Sequence, residues 1–170
     1  MTRTGWTVRP KGERDVDAVV GLLAEIAREG RWIATEWPFD VNARARSMRD
    51  ALLRRWCVGW VAVDDRDVVA DLTIFDVDAP EPELGMLVAA PQRRRGIGRA
   101  LLEEAIAWAR ANGKTALTLR VFPDNDAART LYFAAGFVDK TVLRAAIARR
   151  DGDALDAIVM RRAVTDAPPP

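Results

Sequence analysis

The stretch LGMLVAAPQRRRGIGRALL, Leu84–Leu102, decides how the rest of the chain is read. Its apolar run, Leu84–Ala90, ends at Pro91; stacked arginines follow, then Gly96-Ile97-Gly98, and Arg99-Ala100-Leu101-Leu102 open a helix. A strand that passes through an Arg/Gly turn into a helix start is a device for holding phosphate. First-turn N–H groups of a helix have no internal partner, and the helix dipole adds partial positive charge there. Glycines remove the Cβ atoms that would keep an anion off the backbone. Arginines at the rim add long-range attraction and forked hydrogen bonds. The segment is therefore expected to grip a phosphorylated ligand. It is not a P-loop, because no Gly-x4-Gly-Lys-Ser/Thr string occurs. It is not a dinucleotide fingerprint either, since Leu101 stands where a third Gly or Ala is needed and the helix follows the fourth strand, not the first.

Composition narrows the classes. A chain of 170 residues with 49% hydrophobic content is long enough for one domain with a full core. The formal net charge of +1 argues against a general nucleic-acid or membrane-surface binder. No run approaches the roughly 18 apolar residues of a membrane span, and the polar start Met1–Pro10 is unlike a signal peptide. A single cysteine, Cys57, excludes internal disulfides and suits a reducing cytoplasm. With no histidine and no Cys/Asp/Glu cluster at metal spacing, no metal is expected, and proton transfer falls to carboxylate, tyrosine, backbone or water. The bias of arginine over lysine hints at a GC-rich bacterial source.

In chain order, Trp6–Arg9 reads as a strand ended by Pro10. Val16, Val19, Val20, Leu22, Leu23 and Ile26 then recur at helical spacing up to Glu29-Gly30. An irregular, aromatic-rich stretch, Arg31–Asp40, precedes an arginine-rich helix over about Val41–Arg55. Strands are expected at Cys57–Val63 and Val68–Val77, joined by a turn at Asp64–Asp67, and an acidic connection, Asp78–Pro82, leads into the fourth strand. The third helix, Gly98–Ala111, stops at Asn112-Gly113. Strand Ala116–Val121, helix Asp126–Ala135 and two strands, about Phe137–Arg149 and Asp153–Arg162, complete residues 1–164 as one domain. Thr165–Pro170 reads as a Pro-rich disordered tail. This order indicates an α/β sandwich around one mostly antiparallel sheet, with helices on both faces.

Two motifs in that order resemble the GNAT superfamily of N-acetyltransferases. Arg93-Arg94-Arg95-Gly96-Ile97-Gly98 is similar to its acyl-CoA signature, Gln/Arg-x-x-Gly-x-Gly/Ala. Asn125-x-x-Ala128-x-x-Leu131-Tyr132-x-x-x-Gly136-Phe137 resembles its second motif. The likeness runs from about Val8 to Met160. It implies a splayed parallel pair of fourth and fifth strands with acetyl-CoA wedged between them. It further implies that N–H groups across Arg94–Gly98, Ile97 included, cup the pyrophosphate while Arg93, Arg94, Arg95 and Arg99 steer and clamp it. The backbone of Met86, Leu87 and Val88 would pair the pantetheine and polarise the thioester, and these are also plain core strand positions.

Asn125, Ala128 and Tyr132 share a helical face. Small Ala128 leaves room for a ligand, Asn125 serves it or caps its helix, and the Tyr132 phenol is placed to protonate the departing thiolate or simply to fill the core. Glu83 matches the position of a water-mediated general base and reads equally as an edge carboxylate in water; Asp71, Asp76, Asp78 and Glu81 are further acidic candidates. The resemblance puts the acceptor pocket at Trp32–Asp40 and Arg149–Asp153. There Trp32, Trp37 and Phe39 beside Glu36 and Asp40 suit a cationic amine, or else staple the loop to the core. The same patch could pair two copies in a homodimer.

The activity implied is direct transfer of an acetyl group from acetyl-CoA to a primary amine on a small molecule or protein, with no covalent intermediate. A catalytically weak acyl-CoA sensor and an arginine-turn nucleic-acid binder are the rivals.

Overall fold

In a computed structural model of the protein, residues 5–164 are described; the Pro-rich tail expected at 165–170 lies outside them. One seven-stranded sheet runs through the molecule in the spatial order β1-β2-β3-β4-β5-β7-β6. The strands are β1 (Trp6–Pro10), β2 (Cys57–Asp64), β3 (Asp67–Phe75), β4 (Glu83–Val88), β5 (Ala116–Val121), β6 (Val138–Ala148) and β7 (Ala154–Ala163). All neighbours are antiparallel except β4 and β5. The helices are α1 (Val16–Arg28), α2 (Val41–Leu53), α3 (Ile97–Ala111) and α4 (Asp126–Ala134).

Alternation along β2, β3 and β4 sends side chains to two different places. Trp60, Ala62, Ala70, Leu72, Ile74 and Leu84 join the main core with Ile97, Leu101, Leu102 and Ala105 of α3. The other face carries Cys57 and Gly59 on β2, Asp71, Thr73 and Phe75 on β3, and Glu83, Gly85 and Leu87 on β4. The register sets Asp71 opposite Leu87, Thr73 opposite Gly85 and Phe75 opposite Glu83. Helix α1 packs over this second face; its apolar stripe (Val19, Leu23, Ile26) is buried. Local chemistry bounds the helices, at the end of α3 through the Asn112-Gly113 stop that the sequence predicts. Asp40 caps α2 by accepting from the Ala43 N–H at 2.8 Å. Gly113, in the left-handed region at φ +64, ends α3 with paired bonds from Gly113 and Lys114 back to Arg110 and Ala109.

The fourth strand is shorter than its apolar run. It stops at Val88, and a single 3-10 turn, Ala90–Gln92, carries the chain toward α3. Pro91 explains this, since it has no N–H to give a ladder.

The sheet opens where β4 meets β5. Only Glu83 pairs with Thr118 and Leu84 with Leu119. Beyond Leu84 the two strands part, and Gly85–Val88 keep β3 on one side and nothing from β5 on the other.

Candidate active site at the split sheet

The split makes a cleft of about 1230 Å³ between β3, β4, β5, α1, α2, α4 and the start of α3. Backbone direction within β4 decides what that cleft meets. The Thr118 N–H donates to Pro82 O at 3.0 Å across the parallel pair, whereas the Ala89 N–H donates to Val69 O at 2.9 Å on the β3 side. Even-numbered residues of β4 therefore turn their N–H and C=O toward β5, and odd-numbered ones toward β3. Met86 and Val88 present backbone groups to the open gap. Leu87 does not: its peptide groups serve the ladder opposite Asp71, which corrects the expectation that all three adjacent residues offer their backbone to a ligand. The Val88 carbonyl takes one bond from Arg93 Nε at 3.1 Å, leaving its N–H free.

At the cleft's mouth the turn into α3 is wound from two left-handed residues, Arg94 at φ +66 and Gly96 at φ +82. Among the described residues, no protein acceptor receives the backbone N–H groups of residues 94–99; the first intrahelical bond is from Ala100 to Gly96, at 3.1 Å. Six adjacent donors at a helix start form an anion cradle. Gly98 is needed for a separate reason. A Cβ there would sit 2.9 Å from Leu131 Cδ2 and 3.4 Å from Met86 Cε, so its absence lets α3, α4 and β4 converge on the cradle.

The arginines of the turn divide by partner. Arg93 reaches Glu29 through two bonds, of 2.9 and 2.6 Å, tying the end of α1 to the turn. Arg95 pairs with Asp64 at 3.0 Å and bonds Gln92; it does not line the cleft. Arg99 pairs along its own helix with Glu103 at 3.0 Å. Arg94 lines the cleft, exposed and with no ion pair among the described residues.

Tyr132 lies on the α4 wall, 7% exposed, its ring edge-on to Phe137 at 5.9 Å. Burial pushes its phenol up to about 12, and no protein group among the described residues hydrogen-bonds the hydroxyl. Asn125 caps α4, accepting from the Ala128 N–H at 3.2 Å; of the two roles open to it, capping is the one seen. Ala128 lines the cleft beside it.

Glu83, half-exposed at the start of β4, takes a 2.9 Å bond from Arg120 Nε, and both line the cleft. Glu81 is held by Arg161 and Lys140, with Arg161 foremost in keeping its carboxyl below the usual range. Asp71 is buried against Lys11 at 2.8 Å; burial pushes its carboxyl up against the pull of that ammonium. Among the described residues no group of three or more His, Cys, Asp and Glu is placed to hold a metal ion. No helix among them is long and apolar enough to cross a membrane.

The expected acceptor residues do not stay together. Trp32 lines the cleft. Glu36 and Trp37 border a different, shallower hollow next to Arg149 and Asp151. Arg28 covers the Trp37 ring at 3.8 Å, and Glu36 accepts from the Arg150 N–H at 3.0 Å. Phe39 packs on the small α1–α2 core of Val16, Val20 and Ala45, and Asp40 is spent as a cap. These side chains fasten the loop to α1, α2 and the β6–β7 hinge, the plainer of the two readings that the aromatics allowed. What lines the cleft instead includes Leu23, Ile26, Ile33, Met48, Thr73 and Phe75. Thr73 and Phe75 had a signal in sequence, a period-two set (Asp71, Thr73, Phe75) inside an otherwise apolar strand.

An anion cradle at a helix start, a strand with one open edge and a buried tyrosine lining the same cleft define a group-transfer enzyme built around a long phosphorylated donor. Residues 24–137 match the model of the acetyltransferase (GNAT) family, and the chain belongs to that family. The fold is shared with an N-acetyltransferase from Staphylococcus aureus Mu50, 18% identical, over 94% of this chain and 99% of that one (TM-score 0.83). A ribosomal-protein-alanine N-acetyltransferase from Brucella melitensis is 25% identical over 92% and 99% of the two chains (TM-score 0.80). A phosphinothricin acetyltransferase from Sinorhizobium meliloti, solved in complex with acetyl-CoA, is 20% identical over 94% and 88% (TM-score 0.78). No curated protein matches the chain.

Proposed function

We propose that this protein moves the acetyl group of acetyl-CoA directly onto a primary amine in the cleft between β4 and β5. The observation that carries the reading is the continuity of unsatisfied donors: the N–H groups of residues 94–99 at one end of the gap, and those of Met86 and Val88 along its edge. The first set fits a pyrophosphate, the second an extended amide chain and a thioester carbonyl. An N–H already aimed at the thioester oxygen stabilises negative charge as it develops there, with no reorganisation at the moment of reaction.

Glu83 takes the amine's proton through water, with Arg120 fixing the carboxylate's direction. Tyr132 hydrogen-bonds the sulfur. A phenol near 12 facing a thiol near 8.5 would lose about 5 kcal/mol by giving up its proton fully, so it shares the proton as the C–S bond breaks and keeps it afterwards. The one proton shed by the attacking nitrogen, taken up by Glu83 and returned through water, finally neutralises the thiolate at less cost. Residues 5–164 act as one catalytic unit.

The test is thiol release from acetyl-CoA with the purified protein and a panel of amines. Release above the no-amine rate with at least one amine, together with its acetylated product, is expected. No release with any class of amine, despite tight CoA binding, would instead support the sensor.

A further inference from the structure

Directly under the cleft, on the face shared by β2, β3 and β4, lies a polar cluster that none of the steps above uses. Lys11 Nζ is fully buried, 2.8 Å from Asp71 Oδ1, and also bonds Thr73 Oγ1; the Thr73 hydroxyl donates to Asp71 Oδ2 at 2.9 Å. Two glycines shape its surroundings. Gly59 admits the lysine, since a Cβ there would lie 3.0 Å from Lys11 Cε and 2.4 Å from the Leu72 carbonyl. Gly85 lies opposite Thr73 on the neighbouring strand, and Asp71, Thr73 and Gly85 all line the cleft.

The bonding capacity left over has one sign. Both Asp71 oxygens and Thr73 Oγ1 keep an unused lone pair, while the ammonium is sealed behind them. The same cleft is lined by the apolar Leu23, Ile26, Ile33, Met48 and Phe75. A buried acceptor-only patch in an apolar wall selects for a ligand that brings a donor, because a ligand without one would leave these lone pairs dry. We infer that Asp71 and Thr73, held by Lys11, form a subsite for the acetyl acceptor that takes a second hydrogen-bond donor, a hydroxyl, amide or ammonium, on an otherwise apolar body. The inference rests on the acetyltransferase reading of the cleft. It makes the acceptor a small bifunctional amine.

Calorimetry on the CoA-loaded protein reads the subsite without turnover. The probes are 5-amino-1-pentanol and hexylamine, which differ only in hydroxyl for methyl. The wild type is expected to bind the amino alcohol about tenfold more tightly, and Thr73→Val to erase that preference while CoA affinity stays within about twofold. Thr73→Ala is the second variant; it removes the same hydroxyl with less bulk and should also erase the preference. Should Thr73→Val fail to fold, Thr73→Ala alone decides. Equal binding of the two amines by the wild type, or a preference that survives in the variants, overturns the subsite. Thiol release with either amine is scored separately, so a failure of acetyl transfer is told apart from a failure of the subsite.

Discussion

Tyr132 is the only tyrosine in the chain, so its ionisation can be read without interference. Its phenolate absorbance should appear near pH 12 in the folded protein and near pH 10 once unfolded; a folded midpoint near 10 would mean that water reaches the ring freely. The stability sign follows from the same shift. Below pH 10 the phenol is protonated in both states and costs nothing. Between pH 10 and about 12 only the unfolded chain ionises, so stability falls by up to about 3 kcal/mol as pH rises. Replacing Tyr132 by Phe should lower kcat by about 10- to 1000-fold with the acetyl-CoA Kd unchanged; an unaltered kcat would remove the tyrosine from the chemistry. Lys11→Met should cost about 3 kcal/mol by stranding the buried Asp71 carboxylate, and the double change with Asp71→Asn should recover part of it. Thermal unfolding of the two variants beside the wild type measures this.

Among the elements, the start of α3 separates charge from backbone. Arg94 lines the cleft with no ion pair among the described residues, whereas Arg99 is already engaged with Glu103. Arg94→Ala should weaken CoA binding roughly 3- to 10-fold and flatten its salt dependence; Arg99→Ala should do less than either, as calorimetry at two salt concentrations would show. Equal losses would mean that the ion-pair pattern does not govern the ligand. Helix and strand periods made α3, β5 and α4 readable in sequence, because their apolar stripes and glycine stops act over a few residues. The partners of the arginines were not readable. Glu29 lies 64 residues before Arg93, and only the packing of α1 against the turn brings them together. Leu87 shows a finer limit: the motif marks three adjacent backbone positions, but the two-residue alternation of a strand leaves only Met86 and Val88 facing the gap.

For the whole molecule, the end of the cleft proposed for the donor is built from contiguous sequence, and the end proposed for the acceptor is not. The cradle is built from contiguous residues whose geometry follows from local rules. The side proposed for the acceptor is lined from α1, α2, the loop before α2 and residues of the neighbouring strands, so its membership depends on how the α1–α2 layer sits on the sheet. Trp37 and Phe39 carried the right chemistry for a cation, yet Arg28 and the α1–α2 core use them first. Asp71, noted only as one carboxylate among several, gains its meaning from Lys11, 60 residues away. The claim underneath all of this is that a CoA diphosphate sits on the exposed amides of residues 94–99 with its chain running along the open edge of β4. Backbone amide NMR of the 15N-labelled protein during a CoA titration tests it most directly. The amides of residues 94–99 and of Met86 and Val88 should shift together in a saturable manner, with Leu87 moving less than either of its neighbours. Shifts confined to other surfaces, or none at saturating CoA, would contradict it.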